Sequence, residues 1–232
     1  MVSFTHSYLL MDLGFLIVWL FLFIWRKDAR KVMLFISMPL GFMGPFLEYI
    51  YVNDWWKPLT ITGTLLGIED FLFAFAIGGI SAVIYEELFK KRIRERKMSK
   101  RISERSRLTF WITGVLGLVA FYFCYFILGL NTFVTTTTLL IILIVIMYIK
   151  RHDLIVDSLV SGFLLLVISS FVYIAVDIIT PGWVYQFWHF KFFPKILFLG
   201  LPIDDIIFYF LCGAAIAPLY EYWQEGRLIN KK

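Results

Sequence analysis

The chain has 232 residues, of which 60% are hydrophobic and 19% aromatic against 17% charged, with a mean hydropathy of +0.81. Soluble domains run at about 45–50% apolar and about 25% charged, and one of this size could not hide so much apolar surface. The balance excludes an intrinsically disordered chain, a disulfide scaffold and a secreted enzyme, and leaves a protein solvated by a bilayer. The net charge of +5 points to nucleic acid only until its distribution is read.

A helix needs about 20 apolar residues to cross about 30 Å of hydrocarbon. Seven stretches qualify: 8–25, 32–52, 67–88, 108–128, 132–148, 154–179 and 201–223. The first is expected to remain as a span, because it lacks a basic leader and a small-residue cleavage site and runs straight into the basic segment 26–31. With the N-terminus outside, 19 of the 22 basic residues fall on the inner side, and only Lys57, Lys191 and Lys195 fall outside. That asymmetry predicts an N-out, C-in topology. The run KKRIRERKMSKRISERSR at 90–107 is then a cytoplasmic loop touching anionic headgroups, and no nucleic-acid partner is expected. Cys124 and Cys212 lie in apolar runs and read as small core residues.

Sliding the chain by 135 residues lays 68–88 on 203–223 with eight identities in 21 positions, among them Asp70/Asp205, Gly78/Gly213, Tyr85/Tyr220 and Glu86/Glu221. Glu69 then faces Asp204, and at an offset of 129 Glu48 falls on Asp177. Apolar matches are cheap in membrane helices; acidic pairs in register are not. Spans 1–3 and 5–7 thus read as two copies of a three-helix unit. Three crossings plus one return the chain to its starting side, so the copies are parallel, about an axis along the membrane normal. The expected fold is an all-α integral membrane protein of seven transmembrane helices. Its expected parts are a first repeat at 1–90, a basic loop and linker helix at 91–130, and a second repeat at 131–232.

Only 15 uncharged residues separate Asp70 from Glu86, and 15 separate Asp205 from Glu221. At about 1.5 Å per residue that covers about 22 Å of the apolar layer. With Glu86 and Glu221 as interfacial ion-pair formers at the inner boundary, Glu69, Asp70, Asp204 and Asp205 lie below the outer surface, level with Glu48 and Asp177. Asp12 is a further member by depth. Carboxylates that open helices also cap backbone N–H groups, but a cap needs only one acid of each pair, and ionisable groups inside a membrane are functional by default. Crowded, desolvated acids cannot all ionise, so one stays protonated while another remains a base, which suits proton addition at one atom and removal at another. Trp55, Trp56, Phe73, Phe208 and Trp183 serve as interface anchors or filler, or line a substrate site and stabilise a carbocation through their ring faces.

No glycine-rich dinucleotide fingerprint, P-loop, CxxC or HExxH occurs. His6, His152 and His189 are scattered, and neither a metal site nor a cofactor is expected.

An acidic pair in a Pro-Ile-acid-acid-x-x-Phe setting at the head of a span, repeated across two three-helix halves, resembles the membrane-integral lycopene cyclases of archaea, fungi and actinobacteria. Pro202-Ile203-Asp204-Asp205-Ile206-Ile207-Phe208 has Asp in place of the usual first Glu, and Gly67-Ile68-Glu69-Asp70-Phe71-Leu72-Phe73 has Gly where Pro is usual. Trp55-Trp56 followed by Ile61-Thr62-Gly63 is similar to the stretch that precedes this motif in the family. The resemblance implies a fused two-repeat enzyme of the cell membrane that cyclises the ends of a linear carotene such as lycopene to β-type rings. The substrate would reach the site from within the bilayer. Glu69, Asp70, Asp204 and Asp205 would be acid and base, with Glu48 and Asp177 tuning or relaying protons. Membrane lipid and other carotenoid-pathway enzymes are the expected partners. A hydratase, a cyclase for longer carotenoids, a prenyltransferase and a proton-coupled carrier remain the competing readings.

Overall fold

The computed structural model of the chain describes residues 4–89, 91–94, 100–224 and 227–230, and of 91–94, 100–111, 113, 224 and 227–230 the backbone alone. It is mostly helical. After a 3-10 turn at Phe4–His6 come α1 (Ser7–Trp25), α2 (Arg30–Tyr51), α3 (Ile68–Ser81) and α4 (Ile84–Leu88). A long α5 (Lys100–Phe126) leads to α6 (Thr132–Lys150), α7 (Ile155–Ile179), the one-turn α8 (Trp183–Phe187), α9 (Ile203–Ile216) and α10 (Leu219–Gln224).

Among the described residues, five helical segments are long and apolar enough to cross a bilayer: Phe4–Trp25, Arg30–Tyr51, Thr132–Lys150, His152–Ile179 and Ile203–Trp223. The third expected span is divided into α3 and α4 by a turn at Ala82 and Val83. Its counterpart in the second half is interrupted at Ala217 and Pro218, where proline has no N–H to continue the ladder. Position 83 lies 135 residues before 218, so the two breaks coincide in the alignment although only one contains proline. The fourth expected span falls on α5, whose apolar part, Gly114–Phe126, is a shorter helix.

Large apolar side chains cover the outside, as a lipid solvent permits, and the mainly apolar core also encloses polar groups. Ile17, Phe21 and Ile24 of α1 and Phe163, Phe171 and Ile178 of α7 face outward, while Ser7, Ser37, Ser161 and Ser169 are enclosed. Helix α3 packs on α2 and α1, and α9 packs on α7 and α6, so corresponding helices of the two halves make corresponding contacts. Glycines permit the closest of these. A Cβ on Gly44 of α2 would overlap the Asp70 carbonyl oxygen, and one on Gly213 of α9 would lie 2.7 Å from the Ser161 carbonyl oxygen and 2.8 Å from Gly162 Cα of α7. The α6 N-terminus is capped by Asn131, whose side chain accepts the Val134 N–H at 2.8 Å.

The halves also meet backbone to backbone at both ends of the bundle. At one end Trp56 pairs with Trp188, through Lys57 N–H to the Phe187 carbonyl at 2.7 Å and His189 N–H to the Trp55 carbonyl at 2.9 Å. At the other, β1 (Lys91–Arg94) pairs antiparallel with β4 (Arg227–Asn230), placing Ile93 opposite Leu228, 135 residues on. A second short hairpin, β2 (Leu197–Phe198) with β3 (Leu201–Pro202), turns through Leu199 and Gly200, both at positive φ, and delivers the chain to the head of α9. These pairings add short strands to the expected all-α architecture.

Gly44→Ala is expected to lower the thermal midpoint, with overpacking worth about 1–3 kcal/mol. Gly117→Ala, where a Cβ meets nothing within 4 Å, should leave it unchanged. Thermal unfolding of the two variants in the same detergent is the comparison.

Candidate active site

Helices α1, α3, α7 and α9 pack against one another where the two halves meet, and most of the acids expected from the sequence lie between them. Glu48, Glu69, Asp70, Asp204 and Asp205 are all buried, as is Asp12 on α1. Asp177 is not among them: it is exposed on α7 and accepts the Gly182 N–H at 2.8 Å, capping the turn that follows the helix. An alignment offset matches Asp177 to Glu48, but the two point to different surroundings. Glu86 and Glu221, expected at an interface, are instead enclosed side by side near Asp157 at the opposite end of the bundle. There Arg26 pairs with Asp28 and Glu87 at 3.0 and 3.1 Å.

The two aspartates in matching register, Asp70 and Asp205, occupy the third position of their helices, and one residue upstream decides their partners. Gly67 precedes α3, so its backbone N–H donates to Asp70 Oδ2 at 2.8 Å and closes a cap. Asp70 Oδ1 is left to accept the Tyr8 hydroxyl at 2.9 Å. Pro202 precedes α9 and has no N–H to offer. Both oxygens of Asp205 therefore turn to side chains: Tyr173 donates to Oδ2 at 2.7 Å and the Trp188 indole to Oδ1 at 3.2 Å. With Tyr173 committed as donor, Tyr209 must donate to it across their 3.1 Å contact. The Trp56 indole, opposite Trp188, donates to Glu48 Oε2 at 3.0 Å.

The remaining two acids sit at the edge. Glu69 Oε1 accepts the Ile61 N–H at 2.6 Å and ties the 52–67 loop to the head of α3. Asp204 Oδ1 accepts the N–H of Asp205 at 3.2 Å. In this arrangement Glu69 and Asp204 accept backbone N–H groups, while Asp70 and Asp205 also accept side-chain donors from a neighbouring helix of the same half, Tyr8 of α1 and Tyr173 of α7.

Aromatic rings enclose the acids. Trp56 lies 4.8 Å from Tyr8, 5.0 Å from Trp188 and 6.2 Å from Phe73, measured between ring centroids. Phe15 bridges Phe73 and Tyr209 at 5.9 Å each. Trp183 packs on Tyr173 at 5.0 Å and on Trp188 at 5.5 Å. Trp55 and Phe208 meet at 5.2 Å in an adjoining group with Phe133. All five aromatic residues expected at the site from sequence thus lie in this region. Tyr8, Tyr173 and Trp188, which hold the acids, were not singled out as donors. Tyrosine inside an apolar span is the signal for them, since its hydroxyl must find a partner there.

A family model described as lycopene cyclase matches the chain over residues 5–88 and again over 131–223, together well over half its length. The chain belongs to the lycopene cyclase family. The two matched stretches are the two halves that face each other here, and residues 89–130 between them fall outside both. No curated protein and no solved structure matches the chain.

Membership implies an enzyme acting on a carotenoid. Tyr173→Phe is expected to destabilise the fold by about 1–3 kcal/mol, because Asp205 then loses one of two donors while staying buried. Asp177→Asn, on the exposed face, should change stability by less than about 0.5 kcal/mol. Thermal midpoints of the purified variants distinguish the two.

Proposed function

We propose that the protein cyclises the ends of a linear carotene such as lycopene to β-type rings by redox-neutral acid and base catalysis in the cell membrane. The observation that carries the reading is the pair Asp70 and Asp205, one from each half. Both are buried and held by tyrosine across the helix boundary, beside one continuous set of aromatic rings. A carbocation intermediate needs a proton donor to form it, ring faces to shelter it and a carboxylate to end it. Each is available here from this chain's own residues, and the sequence of steps leaves no net oxidation or reduction for a cofactor to carry.

In this reading the chain is a duplicated three-helix unit, 1–90 and 131–232, joined through 91–130. It crosses the membrane seven times with its N-terminus outside, α3 with α4 and α9 with α10 each forming one interrupted span. The coincident interruptions and the pairing of residues 135 apart support the duplication. The 19-to-3 division of basic residues supports the orientation. The hydrocarbon enters from the bilayer, and Asp70 and Asp205 handle protons at its end group. Glu48, Glu69 and Asp204 hold the surrounding loops and indoles in place, and Trp55, Trp56, Phe73, Phe208 and Trp183 line the substrate's path.

Expression in a bacterial host that accumulates lycopene is the test, with pigments separated by chromatography and weighed by mass spectrometry. Products of unchanged mass with a shortened chromophore are the expected outcome, and Asp205→Asn should abolish them while the protein remains in the membrane. A gain of water in the product replaces the reading with hydration, and unaltered lycopene overturns it.

A further inference from the structure

One acid of the cluster differs from the rest in how it is held. Asp12 is enclosed on α1, and neither of its carboxyl oxygens has a hydrogen-bond partner. Asp70 and Asp205, by contrast, each receive two donors. Helix α1 packs against α3 of its own half and α7 of the other, and Asp12 is among its buried residues. Tyr8, one turn earlier on the same face, donates to Asp70. Phe15, three residues later, touches Phe73 and Tyr209. The groups that act on Asp12 electrostatically are Glu48, Glu69 and Asp70, and Asp12 in turn acts on Tyr209. The second half offers no equivalent, since α6 contains neither Asp nor Glu.

We propose that Asp12 is the acid of the composite site and that Asp70 and Asp205 are its bases, an assignment that rests on the cyclase reading above. A buried carboxylate is tolerated when donors surround it, whereas a carboxyl with none is accommodated as the neutral acid. Asp12 gives its proton to the CH carbon of the terminal double bond, so that the positive charge falls on the carbon bearing the two methyl groups. The π pair forms the new C–H bond and leaves a tertiary cation. A second double bond supplies its electron pair to that cation and closes the ring. The Asp70 or Asp205 carboxylate then removes a proton from the neighbouring carbon, and the C–H pair becomes the ring double bond. The cycle closes when that proton returns to Asp12; Tyr8 beside Asp70, and Tyr209 with Tyr173 beside Asp205, stand on the two routes.

The test compares wild type, Asp12→Asn, Asp12→Glu and Asp12→Leu, assayed on lycopene in membranes in H2O and in D2O. Wild type should form cyclic product, with less than one deuterium per ring in D2O because the abstracted proton is recycled to Asp12. Asp12→Asn and Asp12→Leu should lose at least about 100-fold in turnover, the scale of a general acid, yet unfold at the same or a higher temperature because a buried unpartnered acid is gone. Asp12→Glu should recover part of the rate with a displaced pH profile. Turnover within threefold of wild type in Asp12→Asn overturns the assignment while leaving the cyclase reading intact. Loss of folded protein in both Asp12→Asn and Asp12→Leu also overturns it, making Asp12 structural. Failure of the wild type itself to form rings from lycopene removes the cyclase reading and this assignment with it.

Discussion

A carboxylate removed from water must be given hydrogen-bond donors, a counter-charge or a proton, and this chain encloses a group of them among apolar rings. Most of the architecture around the site answers that demand. Tyr8 and Tyr173 bring phenols from α1 and α7, and Trp56 and Trp188 bring indoles from the loops that follow α2 and α8. Among these contacts the acids of the site are met by neutral donors. A neutral donor stabilises a carboxylate without neutralising it, so a proton remains free to come and go.

The halves correspond in outline and differ at the heads of α3 and α9. Gly67 and Pro202 occupy the same position before their helices, and the single N–H that separates them redirects two carboxylate oxygens and two indoles. In the first half the backbone takes one oxygen of Asp70, which frees Trp56 for Glu48. In the second half no backbone donor exists, and Trp188 is drawn onto Asp205. Corresponding positions of α3 and α9 thereby carry two carboxylates with unequal partners.

Close helix contact makes the site possible. Gly44 lets α2 lie against the first turn of α3 at the Asp70 carbonyl, and Gly162 with Gly213 does the same for α7 and α9. In lipid there is no hydrophobic force to press helices together, so association rests on fit and on interhelical hydrogen bonds. The same contacts that bring Tyr173 to Asp205 are those that hold α7 on α9. Stability and site geometry are therefore set by one set of residues.

The sequence by itself determined the apolar segments, the 135-residue correspondence and the group of acids, Glu48, Glu69, Asp70, Asp204 and Asp205, that the fold buries. Hydropathy, basic-residue asymmetry and helical rise all act along the chain and can be read from it. The exposure of Asp177 could not be, because an alignment offset fixes depth in the bilayer but not rotation about the helix axis. Nor could the burial of Glu86 and Glu221, which depends on α4 and α10 meeting across the halves. The donors Tyr8 and Tyr173 lie 62 and 32 residues from the carboxylates they hold. Only packing brings such partners within 3 Å, and only packing leaves Asp12 enclosed with none.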